Sequence, residues 1–493
     1  MSEGRADDLR HHGPVTQTQT ATAHAIPART ADLFAPGLRG LSIGLVSTIT
    51  LVALESLAIG TVMPIVADEL GDLQLYGWVY TAFFLGNLLG IVLAGGALDR
   101  MPLHRPFAAG LVLFGAGLVI GGLAPSMPIL VLARFVQGLG GGAVGPTAYV
   151  AIGRVLPDRL QPRMFALLST AWVVPGIIGP SIAAVVGEVA SWRWVFLGLV
   201  PFLVVAGGLA VSALRRVDAP MPEAEHEAAH ATLRRLPDAL LAAGGAGLLV
   251  AGLTAQDPRL LIGGVVLGGL MLLPAYRRLT PRGTLLLAIG VPAAVLLRGV
   301  MTFAFFSGDA YLPLLLQTWR GTPATLTGIV FTVTTVSWTA GTWFQARRIE
   351  RWGPRRFVGL GFALIAIGAA LTIAVVFRAV PPELAVVTWV LPGIGMGFMY
   401  SAVTLVVLRG SNPSEQGSAS SALQLSDILG TALGTGVAGA ITAAGERAGG
   451  DGLGVALAVV FGVSLVSALL GMLGSGRIGA VPHVQEPRAA AVD

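Results

Sequence analysis

Three carboxylates stand inside apolar runs, where a charge is costly. Glu55 interrupts LVALESLAIGTVMP (51–64), Asp309 lies in FAFFSGDAYLPLLL (303–316), and Asp427 lies in SASSALQLSDILG (418–430). An ionised acid at the centre of a membrane helix costs about 2.5–3.5 kcal/mol on the insertion scale. A carboxyl taken out of water favours its neutral form, so such a group can bind and release a proton near neutral pH. If a proton and a cationic solute compete for the same acid, the two movements become linked. Arg134 is the one deep cation read from the sequence; Arg298, close to its helix start, is expected to snorkel to the surface. One guanidinium cannot neutralise three carboxylates, so the other acids are expected to be neutral, hydrated or intermittently paired.

Other chemistries find no support. There is no Cys, and the seven His residues make no ligand spacing, so no metal site is expected. No catalytic constellation appears, so no catalytic residue is assigned and the chain reads as a non-enzyme. With no Lys, the glycine-rich GLGGGAVGP (138–146) cannot be a phosphate loop. It reads instead as a close-packed, bendable helix. The formal charge of +5 is carried by scattered Arg rather than a patch, which argues against nucleic acid as a partner. No cofactor is expected; the driving force would be a proton gradient.

The elements that must hold these acids are membrane helices. Of 493 residues, 54% are hydrophobic and 12% charged, with mean hydropathy +0.78, against roughly 25% charged in soluble domains. About 20 apolar residues cross the ~30 Å hydrocarbon core as a helix. The runs predict fourteen spans, near 41–67, 75–98, 106–123, 128–155, 162–187, 194–214, 237–256, 259–276, 293–317, 325–346, 357–377, 384–408, 417–444 and 453–475. With the N-terminus in the cytoplasm, 24 Arg fall on the inner side and five on the outer, a strong positive-inside bias. Both termini are therefore expected in the cytoplasm, and all-Arg basicity suggests the inner membrane of a GC-rich bacterium. Residues 1–38 lack the apolar core of a secretory signal and are expected to be disordered.

The halves resemble each other. GWVYTAFFLGNLLG (77–90) lies against GIVFTVTTVSWTAG (328–341), with Gly90 on Gly341, and at the same offset Asp99-Arg100 meets Glu350-Arg351. QGLGGGAVGPTAYVAIGR (137–154) lies against PGIGMGFMYSAVTLVVLR (392–409), placing Gly138, Gly140, Gly142 and Arg154 on Gly393, Gly395, Gly397 and Arg409. The expected organisation is a disordered N-terminus (1–38), a six-helix bundle (39–216), a linker with two inserted helices (217–282), a second six-helix bundle (283–476) and a tail (477–493). Parallel repeats of this kind are a transporter architecture, with the substrate site near the midplane between them.

With these motifs in order, the chain resembles the major facilitator superfamily, in its fourteen-span drug:proton antiporter-2 branch, across about residues 40–475. LESLAIGTVMP is similar to that branch's acid-to-Pro first-span signature, with Glu55 in place of Asp. The loop motif after the second span keeps Asp99, Arg100 and Arg105; its second copy, ERWGPRR (350–356), carries Glu350, Arg351 and Arg355. RFVQGLGGG (134–142) matches the fourth-span Arg…Gln-Gly pattern, Gly179-Pro180 the antiporter motif, and WRWVF (192–196) the sixth-span signature.

The resemblance implies an all-α major facilitator fold and a proton-coupled antiporter exporting amphipathic or cationic small molecules by alternating access. It implies Glu55 as principal proton site and Arg134 as its charge partner, with Asp309 and Asp427 as further candidates. The loop-motif acids and arginines would form charge latches. Gly138, Gly142, Pro146, Gly176, Gly179 and Pro180 would form helix-bend motifs. Asn87, Gln137, Trp172, Phe306, Tyr311, Trp338, Tyr400 and Gln424 are candidates to line a drug pocket. A dedicated exporter or proton-coupled importer of one metabolite or lipid is the alternative, and a membrane-embedded receptor or enzyme a remote one. The partners expected are small-molecule substrate, protons and the lipid bilayer, around a monomer.

Overall fold

The structure is a computed structural model that describes residues 30–98, 101–157, 159–217, 224–412 and 416–479. Asp99, Arg100, the N-terminal segment to residue 29, the linker at 218–223 and the tail from 480 lie outside the described residues. In lipid every backbone N–H and C=O must be satisfied within the protein, so the apolar runs become helices. These are α1 (Arg39–Leu70), α2 (Tyr76–Leu98), α3 (His104–Gly122), α4 (Met127–Val155), α5 (Gln161–Val189), α6 (Arg193–Leu197) and α7 (Val200–Val217). The second part of the chain forms α8 (Ala224–Thr254), α9 (Pro258–Leu279), α10 (Val291–Asp309), α11 (Ala324–Val376), α12 (Ala385–Gly410), α13 (Gln416–Ala448) and α14 (Gly452–Gly474). Proline opens α4, α5, α9 and α10 within their first turn, where its missing N–H costs nothing.

Among the described residues thirteen helices are long and apolar enough to cross a membrane. One of them counts twice. α11 has 53 residues, about 80 Å at ~1.5 Å per residue, far more than a bilayer core. Gly353, at φ 73, breaks it in a conformation that favours glycine, and Pro354 starts the second arm. Each arm is long enough to span, which gives the fourteen crossings expected. The helices therefore expose alternate ends on two faces: an arginine-rich face, at the start of α1, and a distal face. The WRWVF motif anchors near the distal face. There Trp192 Nε1 donates to Glu69 Oε2 at 2.7 Å, and Arg193 pairs with the same carboxylate.

The repeated glycines are the points where helices cross. A side chain at Gly138 would meet the Phe83 carbonyl and the Asn87 backbone nitrogen of α2; one at Gly397 would meet the backbone at Trp338, Gly341 and Thr342 of α11. Gly140 faces Gly110 and Phe114 of α3, and its counterpart Gly395 faces Gly361 on the second arm of α11. The internal repeat is thus a repeat of close backbone contacts. Gly138→Ala is expected to destabilise the protein by about 1–3 kcal/mol, the usual cost of overpacking, because the new Cβ would lie 2.9 Å from the Phe83 carbonyl carbon and 3.0 Å from the Asn87 nitrogen. Gly145→Ala on the same helix meets nothing within 4 Å and should be neutral or slightly stabilising. Thermal unfolding of the two variants in one detergent checks this; equal midpoints would contradict it.

α8 and α9 pack on each other, and α8 lies against α2 and α13, one helix from each half. Their small-residue interface is tight: Gly252 meets Gly264, and Gly245 meets Gly268. Leu85 and Leu88 of α2, Ala242 and Ala246 of α8, and Leu425 and Leu429 of α13 share one apolar cluster. The hydroxyls of Tyr276 and Ser426 lie 2.7 Å apart, tying α9 to α13.

The two halves are joined toward the distal face. Tyr76 donates its hydroxyl to Ala310 O at 3.2 Å, Thr81 to Ala432 O at 3.2 Å, and Gln317 Nε2 to Thr61 O at 2.8 Å. On the other seam, Thr332 donates to Ile177 O at 2.8 Å. A Cβ on Gly77 would collide with the Gly439 backbone, and one on Gly176 with Thr335.

Candidate functional site

Glu55 sits at the middle of the 32-residue α1, equally far from both faces. Its side chain is 1% exposed, and Arg134 of α4, 2% exposed, pairs with it through Nη1 and Oε1. Neutral groups also hold the guanidinium. Nη1 donates to Gln137 Oε1 at 2.6 Å, Nε donates to Val79 O at 3.4 Å, and the Phe83 ring centroid lies 4.3 Å from the guanidinium carbon. α1, α2 and α4 therefore converge on one buried ion pair, and the glycine crossing of α2 and α4 brings them close enough to do so.

Four polar atoms on the helices that meet here make no hydrogen bond with any described residue: Glu55 Oε2 and Gln137 Nε2 at the pair itself, Tyr80 Oη on α2, and Thr61 Oγ1 six residues further along α1. Most buried polar groups in proteins are satisfied, so four such atoms on α1, α2 and α4 mark a place of unspent hydrogen-bonding capacity. Tyr80 continues a tyrosine cluster that crosses the seam, its ring 5.8 Å from Tyr76, which in turn lies 5.2 Å from Tyr311.

Asp309 closes α10 where the helix gives way to a π-helical turn at Leu314–Trp319. It is partly exposed, and Trp389 Nε1 donates to its Oδ1 at 2.9 Å. Among the described residues it has no ion-pair partner. Asp427 differs. Arg298 Nε donates to Oδ1 at 3.0 Å and Nη2 to Oδ2 at 3.3 Å, while Tyr400 donates its hydroxyl to Oδ2 at 3.0 Å. Arg298 also bonds Tyr400 O at 3.0 Å and stacks 3.2 Å from that ring centroid. The expectation that Arg298 snorkels is therefore corrected: its side chain is 5% exposed and turns into the second bundle, where Asp427 holds it. Among the described residues there are two buried guanidiniums for these three acids, and Asp309 is the acid without a cation.

Other expectations change. Gln137 and Tyr311 are buried in helix contacts, Gln137 on Arg134 and Tyr311 donating to Thr435 O at 3.0 Å, and neither offers surface to a ligand in this conformation. Asn87, Phe306, Trp338 and Tyr400 are partly exposed, and Trp172 and Gln424 are exposed. Phe305 stacks edge-on with Phe306 and Trp338, which joins two of the candidates into one aromatic group. Glu350 does not latch to its neighbour Arg351. It pairs with Arg409 of α12 at 3.1 Å, within one bundle. Arg154, which the repeat register aligns with Arg409, bonds Leu98 O at 3.4 Å. α4 runs unbroken through Pro146 and α5 through Pro180. Gly176 and Gly179 act as contact points, against Thr335 and Leu54 respectively. Tyr80 and Trp389 were missed; each reads in sequence as an ordinary membrane aromatic.

Two six-helix bundles joined at one face, with ionisable groups held between helices, form a transporter architecture. The chain belongs to the major facilitator superfamily: residues 45–347 match the sequence model described by that name. A probable multidrug-efflux transporter of Mycobacterium tuberculosis is 25% identical over 449 residues, covering 87% of this chain and 93% of that one. The multidrug transporter protein MdtP of Bacillus subtilis is 28% identical over 171 residues, 34% of this chain and 32% of its own. Among solved structures, a bacterial homologue of the human lysosomal transporter Spinster, inward-facing and unoccupied, superposes with a TM-score of 0.65 at 17% identity. That match covers 90% of this chain and 98% of the other. The protein is a multi-pass membrane transporter with an all-α fold.

Proposed function

We propose that this chain is a proton-coupled antiporter that exports amphipathic or cationic small molecules across a cell inner membrane, with both termini in the cytoplasm. The observation that carries this reading is the Glu55–Arg134 pair, buried at the centre of α1. The names of the relatives from M. tuberculosis and B. subtilis support the choice of cargo, and the arginine-rich face supports the orientation.

Intramembrane ionisable residues mark ion pathways. A proton taken up by Glu55 removes the charge that holds Arg134. The guanidinium is not stranded, because Gln137, Val79 and the Phe83 ring already hold it. The pair can therefore open without leaving a bare buried cation. Asp309, with a Trp donor and no cation, is suited to meet a positively charged cargo. The hydrogen bonds at the distal face close one access route, and rocking of the bundles would open it.

The test uses purified full-length protein in proteoliposomes, with a fluorescent lipophilic cation as probe. An imposed pH difference is expected to drive accumulation on the acidic side, and an uncoupler to collapse it. Probe movement unaffected by the pH difference would refute antiport.

A further inference from the structure

A cavity of about 520 Å³ opens on the arginine-rich face of the second bundle, at the Gly353 bend of α11. Arg351, Arg355, Arg356 and Arg409 line it, against the single carboxylate of Glu350. Arg409 already spends part of its charge on Glu350. Arg351, Arg355 and Arg356 make no hydrogen bond or ion pair with any described residue and are exposed. Leu405 and Ile478 supply apolar wall beside them.

The positive-inside tendency explains why arginines gather on this face. It does not account for four of them converging on one concavity with a helix bend beneath. Guanidinium groups match phosphate oxygens in a two-pronged geometry that a point charge cannot offer. We propose that this pocket binds a phosphate group, supplied either by an anionic phospholipid of the adjoining leaflet or by a soluble phosphorylated compound. The bound anion would share Arg409 with Glu350, so occupancy bears on the contact between α11 and α12. The proposal does not depend on the transport reading.

The experiment compares the full-length protein with Arg351→Gln/Arg355→Gln/Arg356→Gln, and with Arg215→Gln/Arg216→Gln, a basic pair on the same face at the end of α7. Each protein is held in phosphatidylcholine nanodiscs and titrated with a fluorescent short-chain phosphatidylglycerol; inorganic phosphate and glycerol 3-phosphate are competitors. Each arginine near a membrane surface contributes about fivefold in affinity for anionic lipid. The triple variant is therefore expected to lose on the order of 100-fold, and the control pair much less. Displacement only by lipid assigns the site to the leaflet; displacement by either soluble phosphate at comparable concentration assigns it to a free compound. An equal loss in the control pair, or none in the triple variant, would overturn the proposal. Should the triple variant elute as aggregate, Arg355→Gln alone is read for its fivefold loss.

Discussion

Glu55→Gln is expected to abolish uphill transport while leaving downhill exchange of cargo intact. One pH unit is worth about 1.36 kcal/mol, so one-for-one exchange sustains up to about a tenfold concentration ratio per unit. Without the titratable group that ratio falls to unity. Gln keeps the size of Glu and an oxygen that can accept from Arg134, so the crossing of α1 and α4 survives. Two assays in the same proteoliposomes separate the effects: accumulation under an imposed pH difference, and cargo counterflow without one. Retained tenfold accumulation in Glu55→Gln would remove Glu55 from coupling. If Asp309→Asn alone abolished it, the coupling proton would belong to α10.

The second large effect concerns stability. Arg134→Leu removes the only ion-pair partner that Glu55 has among the described residues and leaves the carboxylate buried. Breaking a buried pair from one side costs about 3–5 kcal/mol, whereas replacing both partners by neutral groups is often tolerated. Arg134→Leu should therefore lower the thermal midpoint markedly, and Glu55→Gln/Arg134→Leu should recover most of the loss. A double variant no better than the single one would show that Arg134 matters through Gln137, Val79 and Phe83 rather than through Glu55. Both variants are expected to be inactive in uphill transport, so the unfolding midpoint decides.

Much of this architecture was legible in the sequence because membrane helices are written locally. Apolar run length and proline starts concern neighbouring residues, and most helix bounds follow them to within a few positions. The exceptions are α8, which begins well before its apolar run, α10, which ends at Asp309 before a π-helical turn, the sixth span, which is broken into α6 and α7, and α11, which joins two expected spans across Gly353. The glycine register was legible too, although its meaning was not: Gly138 and Gly397 announce a repeat, and only the structure shows that each marks a crossing between the second and fourth helices of its half. Side-chain partners across long separations were harder. Arg298 lies seven residues into α10, a position from which a long side chain could reach the surface. Its inward turn depends on Asp427 and Tyr400, more than a hundred residues away. The Glu55–Arg134 pair was foreseen through resemblance rather than geometry. Tyr80 and Trp389 carry no signal of their own, because an aromatic residue is ordinary in lipid until a neighbour makes it a donor.

The placement of α8 and α9 gives the two flanks between the halves different covers. The halves adjoin along two flanks, α2 with α13 and α5 with α11. The first flank is shuttered by the extra hairpin, which rests on both of its helices. Among the described helices the second has no inserted hairpin against it: α5 and α11 meet directly there, with Thr332 donating to Ile177 O. The hairpin thus makes an otherwise twofold pair of bundles lopsided toward the lipid: one flank carries an extra layer and the other is closed by its own two helices.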